Sequence, residues 1–365
     1  MNLEERKRLL REYMAIPRVS GYESEMAFRF RDDLAPLADR VGIDRVGNVI
    51  ATFAGREAAA PALMIFAHMD TIGYIVTYID EEGFLRVDRM GGVPEKAVVS
   101  SAVRVGTEDG GYINGLVASK SYHVQTPEEK GKADPLSKMF IDVGARSREE
   151  VRASGIEVGC PVAYAPAFYE LMNNRICGSY LDDASGLVTM LELAAHMKEH
   201  RPRCTVHLVG TVWEEFNARG AMLAARSART DLAVCLLGPG AGDTPDLRGT
   251  SNVRLEGGPA VTLFNFHGKG TLNGCVAHQG MYRLLKESAA RAGVSLQRSA
   301  GRGALSDTAY LQLEDEGIPC LDMGCPDRYS HSPLECLSLE DHAATGRLLA
   351  EFVDSLDAGF STRRY

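Results

Sequence analysis

An apolar run from Thr205 to Val212 ends on two adjacent carboxylates, Glu214 and Glu215, followed by Phe216, Asn217, Ala218, Arg219, Gly220 and Ala221. The run has the length and content of a buried strand, and the alanine-rich residues beyond it read as a helix. Two carboxylates at the end of such a strand are costly. Like charges a few ångströms apart resist joint ionisation unless a cation lies beside them or one takes up a proton. A hydrolytic metal site uses such a pair: one carboxylate holds the ion and the other handles the proton of the attacking water. A solvated Glu-Glu at a loop edge is the plain alternative. The choice turns on whether the rest of the chain supplies ligands.

The remaining pattern is α/β. Residues 3–14 and 22–36 have helical periodicity, and Ser20-Gly21-Tyr22-Glu23 reads as a capping box for the second helix. Val46 to Phe53 and Ala62 to Ala67 read as strands, the second running into His68-Met69-Asp70-Thr71. From Gly73 to about Pro166 short β-branched runs alternate with glycine turns, which predicts a small antiparallel barrel inserted into the α/β domain. Within it, Gln125 to Lys138 is polar and reads as a loop, and Ser147 to Ser154 as a short helix. Strand and helix patterns resume at Ile176: a helix over Leu187 to Lys198, the strand 205–212, a helix 219–228, and strands Leu232–Leu237 and Ala260–Phe266. Helices 277–292 and 306–314, the strand Ile318–Met323 and a helix 339–356 follow. The expected fold is a mostly parallel sheet sandwiched by helices, with residues 1–72 and 167–365 forming the catalytic domain and 73–166 the inserted barrel. In such sheets ligands gather beyond the carboxyl ends of the strands. His68, Asp182, Glu214, Glu215 and His331 fall just after strand-like runs or at the start of a helix.

Composition removes several classes of function. A net charge of −9 without basic clusters argues against nucleic acid and anionic membranes as partners. No run reaches the ~18 apolar residues of a membrane span, and the charged start from Met1 to Arg8 has no signal-peptide core. Eight scattered cysteines without a Cys-x-x-Cys pair read as reduced, buried hydrophobes, which suits a cytoplasmic protein.

Four separated stretches, taken in order, resemble one family. His68-Met69-Asp70, Leu181-Asp182-Asp183, Glu214-Glu215 with Gly220-Ala221, and Arg328-Tyr329-Ser330-His331-Ser332-Pro333 are similar to the motifs of the glutamyl-aminopeptidase or tetrahedral-aminopeptidase family of dinuclear metallopeptidases, whose members form hollow dodecamers. Gly91-Gly92, Phe140 to Ala145 and Gly155 to Pro161 agree with it, and the likeness covers nearly the whole chain. The resemblance implies a zinc-peptidase-like fold and a division of roles. Asp182 would bridge two metals, Glu215 and His331 would complete one site, and His68 would bind the other ion with Asp70 orienting its ring. Glu214 would be the general base and then the proton donor to the leaving amine.

Three departures cluster at this site. The family's further metal-binding aspartate falls on Leu237, its usual glutamate on Thr71, and its Asn/Asp-Arg pair on Asp183-Ala184. One ion keeps Asp182, Glu215 and His331, three ligands with an open position, which suits catalytic zinc. The other keeps only His68 and Asp182, a weak pair. The expectation is one tight ion per chain, zinc or cobalt or manganese, with a second loosely held or absent. Cys235, Asp183 and Asp243 are the rival replacement ligands; a buried core cysteine and a turn aspartate are the simpler readings of Cys235 and Asp243.

Asp307, in Ser306-Asp307-Thr308, could meet a substrate amine or cap a helix. Thr71 would contact substrate, and His123 would lie near the mouth of the site, at a subunit contact or on the surface. The paired His196 and His200 would cap a helix end. The expected activity is metal-dependent amide hydrolysis, most directly as an aminopeptidase acting on peptides, in a homo-oligomer between dimer and dodecamer. Two alternatives are a narrow amidohydrolase for a small metabolite, suggested by Thr71, Ala184 and Leu237, and an inactive assembly protein.

Overall fold

Four apolar runs, Val206–Thr211, Leu63–His68, Leu232–Leu236 and Cys320–Gly324, lie side by side as parallel strands at the centre of a nine-stranded sheet. This is a computed structural model that describes residues 1–267 and 274–364. Every residue of these four strands is buried, as a parallel sheet covered on both faces requires. Antiparallel strands extend the sheet: Val49–Phe53 pairs with Val206–Thr211, and Ala260–Phe266 with Cys320–Gly324. Gln297–Arg302 then joins Ala260–Phe266 in parallel.

Helices cover both faces. Leu3–Met14, Leu181–Glu199, Gln279–Arg291 and Leu339–Ser355 pack on one, around Leu10, Leu187, Met190, Leu285 and Phe352. The short helices Gly220–Ala228 and Thr308–Leu311 cover the other, where Ala221, Ala224 and Ala225 meet Met64, Phe66 and Cys235. The small alanine side chains let the helix approach the sheet closely. Among the described residues no helix is long and apolar enough to cross a membrane.

The glycine-punctuated region forms a closed six-stranded barrel between Gly73 and Tyr164. Its inward residues, among them Val76, Leu85, Val103, Val105, Ile141 and Val162, make a core of their own.

Two local expectations are corrected. Helix Ser24–Leu34 starts at the N-cap Glu23 with no side-chain cap bond, so Ser20 and Glu23 form no capping box. A second, four-stranded antiparallel sheet, in the order Phe168–Leu171, Arg175–Gly178, Glu335–Ser338 and Asp327–Arg328, is absent from the sequence reading. Its strands are two to four residues long and one is largely exposed, so they carry little periodicity.

Candidate metal centre

The carboxyl ends of the central strands bring five of the singled-out side chains together. His68 closes its strand, and the Glu214–Glu215 turn follows Thr211, which is the register partner of His68. Asp182 stands at the start of Leu181–Glu199, where its own backbone is not yet helical and the Asp182–Asp183 peptide is cis. His331 lies seven residues beyond Cys320–Gly324, in the loop before Glu335–Ser338.

Two overlapping groups that could hold a metal ion result. Asp182, Glu215 and His331 each present an atom within 4.8 Å of the others, and so do His68, Glu214 and Glu215. Glu215 belongs to both. His68 Nε2 meets Asp182 Oδ1 at 2.9 Å. His331 Nε2 lies 3.5 Å from both Asp182 Oδ2 and Glu215 Oε1. Asp182 therefore turns one oxygen to each histidine.

Buried groups behind the ligands fix them. His68 Nδ1 lies 2.9 Å from the Asp70 carbonyl oxygen and 3.7 Å from the Asp70 carboxylate. The Asp70 backbone meets the ring directly, and its carboxylate, close to the same nitrogen, also accepts the Glu214 and Glu215 backbone N–H groups, each at 3.0 Å. Glu335, 3% exposed, accepts the Asp182 N–H at 2.9 Å on one oxygen and the His331 N–H at 2.8 Å on the other. The sequence reading missed Glu335. Its one signal was an acid inside an otherwise apolar run directly after His331-Ser332-Pro333.

The electrostatics favour a cation. Burial pushes the Glu215 carboxyl well above the usual range, and Glu214 and Asp182 push it further. Burial does the same to Glu214, with Asp307 and Asp70 adding to it and His68 opposing. Burial also disfavours charge on Asp182, but the His68 hydrogen bond and the charges of His68, His331 and Arg18 together hold this carboxyl below its ordinary value. A buried cluster of carboxylates and imidazoles with this balance fits a divalent ion, which would replace the protons that the pair otherwise needs.

Gly91 and Gly92 press against the ligands. The Gly92 carbonyl oxygen lies 3.0 Å from His331 Nδ1, and a Cβ at Gly92 would stand 2.9 Å from the same nitrogen. Gly92→Ala should swing the imidazole away and weaken metal binding about 10-fold or more. Chelator competition measures this, and an affinity equal to wild type would show that the ring does not need this seat.

Other candidates fall elsewhere. The ligands open onto a cavity of about 1120 Å³ whose wall includes Leu237, Asn217, Phe264 and Asp322. Thr71, Asp307 and His123 do not line it. Thr71 is 2% exposed and its backbone is tied to Arg18 and Ser20, which turns it into the protein. Asp307 is fully buried behind Thr211, whose hydroxyl donates to it at 3.3 Å, and it makes no side-chain cap on the helix that follows. His123 is exposed on the short turn Tyr122–Val124. The rival replacement ligands are also engaged elsewhere. Cys235 packs among Met64 and Phe66, Asp243 is forked by Arg328 at 2.8 and 2.7 Å, and Asp183 accepts the Gly186 N–H at 2.8 Å. All eight cysteines are free thiols.

Histidines and buried carboxylates at the carboxyl ends of parallel strands, in a helix-covered sheet that carries a closed barrel, define a metal-dependent hydrolase of the α/β peptidase class. The chain belongs to the M42 glutamyl aminopeptidase family, which it matches over residues 47–348. It is 36% identical to SgcX of Escherichia coli strain K12 over 342 residues, 94% of this chain and 91% of that protein. An aminopeptidase from the archaeon Desulfurococcus kamchatkensis has the same fold at a TM-score of 0.91 and 30% identity, with 98% of this chain and 97% of that one covered. The peptidase PhTET1, solved as a dodecamer, matches at a TM-score of 0.83 and 25% identity over 96% of this chain and 99% of its own. The chain is a metal-dependent hydrolase of the aminopeptidase type.

Proposed function

We propose that this protein removes N-terminal residues from peptides using one tightly held divalent ion per chain. The observation that carries the reading is the group formed by Asp182, Glu215 and His331, three convergent ligands beside an open cavity. Two carboxylates, an imidazole and room for a fourth ligand suit zinc, with cobalt or manganese as substitutes. An ion held there supplies Lewis acidity toward water and the scissile carbonyl.

The chain's own residues do the rest. Glu215 reaches both ligand groups, which suits holding. Glu214 reaches only the inner one, which leaves it free to move a proton. Glu214 takes the proton of the attacking water and gives it to the amine that leaves. Asp70 keeps this turn in place through the two backbone N–H groups that it accepts.

The barrel's proposed work is assembly and shaping of the entrance. Tyr122 and Val124, each 65% exposed, sit on its loop, and Met172, 84% exposed, tips the neighbouring hairpin. A homo-oligomer would cover such apolar surface.

Leu237 on the cavity wall favours a second reading, a narrow amidohydrolase, because an apolar side chain stands where the substrate's amine end would lie. Elemental analysis of metal per chain, with a panel of aminoacyl nitroanilides and dipeptides before and after chelation, tests both. About one ion per chain and turnover of several unblocked substrates, lost on chelation, is the expected result. Hydrolysis of a single small amide would select the narrow enzyme. A metal-loaded protein that cleaves nothing in the panel would sink the peptidase reading.

A further inference from the structure

The stretch from Arg18 to Glu23 precedes the residues that match the family, and neither ligand group includes any of it. It nevertheless touches the segments that carry four of the five clustered side chains. Ser20 Oγ donates to Asp70 Oδ2 at 2.5 Å, the same oxygen that accepts the Glu215 N–H, while Asp70 Oδ1 accepts the Glu214 N–H. Glu23 Oε1 accepts the Gly21 N–H at 2.8 Å and, from the turn after Val206–Thr211, the Trp213 N–H at 3.3 Å. Val19 and Thr71 form an isolated bridge beside Asp70. Arg18 donates to the Tyr180 carbonyl at 2.9 Å, two residues before Asp182. These groups are out of solvent: Ser20 is 1% exposed, Glu23 6% and Asp70 0%.

Three successive backbone donors, from Trp213 to Glu215, therefore all end on carboxylates. The turn needs such holding. Trp213 has φ of 61°, a left-handed conformation that a bulky aromatic adopts only when its surroundings enforce it. A turn so strained would relax if its acceptors were removed, and the two glutamate side chains would move with it.

We propose that Ser20 and Glu23 are positioning residues for the metal centre. Glu23 pins the Trp213 N–H directly, Ser20 pins Asp70, and together they set where the Glu214 and Glu215 carboxylates stand. They touch neither the ligands' own donor atoms nor the substrate cavity. Their effect passes through backbone, as groups behind a metal centre act on its ligands. The catalytic part of the test rests on the aminopeptidase reading; the metal part does not.

The experiment uses the full chain as Ser20→Ala, Glu23→Ala and Glu23→Gln. It measures Co²⁺ affinity by chelator competition, and kcat and KM on leucine p-nitroanilide. Both alanine variants should bind Co²⁺ about 10-fold more weakly and lose about 10-fold or more in kcat. KM should stay within about threefold, since no substrate contact is removed. Glu23→Gln keeps an acceptor oxygen for both N–H groups and should stay within about threefold of wild type in every reading. A folded alanine variant with wild-type Co²⁺ affinity and kcat removes that residue from the assignment, and Glu23→Gln as damaged as Glu23→Ala overturns the backbone-acceptor mechanism. If Glu23→Ala does not fold, Ser20→Ala decides by the same criteria. If wild type cleaves no aminoacyl substrate, the peptidase reading falls, and the Co²⁺ affinities alone decide the positioning role.

Discussion

Glu214→Gln is expected to retain the metal and to lower kcat between about 100-fold and 10,000-fold, the range that a positioned acid–base group contributes. The substitution keeps the volume and the backbone N–H that Asp70 accepts. It removes only the capacity to take and return a proton. The ligands Asp182, Glu215 and His331 are untouched, so metal content by elemental analysis should equal that of wild type while steady-state hydrolysis collapses. Activity at the wild-type level would refute the assignment of Glu214 as proton carrier. Lost metal would mean that Glu214 is a ligand, a role its place beside His68 and Glu215 also permits geometrically.

Leu237→Asp should raise the metal content from about one ion towards two per chain. The register argues for it. Cys235 pairs with Phe66 in the parallel ladder, so Leu237, two residues on, falls level with His68. A carboxylate there would come level with the imidazole whose Nε2 meets Asp182. Elemental analysis of the two proteins side by side reads the change. Two tight ions in the unmodified chain would show that His68, Glu214 and Glu215 already make a sufficient second site, and that one ion per chain is the wrong count.

The side-chain cluster was legible because its residues are expensive where they stand. His68, Glu214 and Glu215 follow apolar strands, and a charged or titratable group beyond a buried strand asks for a reason. The parallel sheet was legible for the related reason that its four central strands are continuous apolar runs. The barrel showed itself through glycine turns between β-branched runs. What stayed hidden depends on partners far away in the chain. Ser20 and Glu23 have the spacing of a capping box, but their oxygens bond to Asp70 and to the Trp213 backbone. Thr71 stands beside Asp70 in the sequence, yet it is buried and off the cavity wall, because proximity in the chain does not set direction; Asp307 is likewise buried behind Thr211. The small second sheet was invisible because each strand is too short for a period to register.

The carboxylate of Glu335 joins two segments that synthesis separates widely, for its bond to the Asp182 N–H spans 153 residues. Strand Glu335–Ser338 also pairs with Arg175–Gly178. His68 and the Glu214–Glu215 turn are tied together by strand register and by Asp70, but His331 and the Glu335 carboxylate that accepts from Asp182 lie near the end of the sequence. Loop closure over such a span is among the slower events of folding. On the proposed reading, Asp182, Glu215 and His331 can converge on an ion only once the segment carrying His331 and Glu335 is in place.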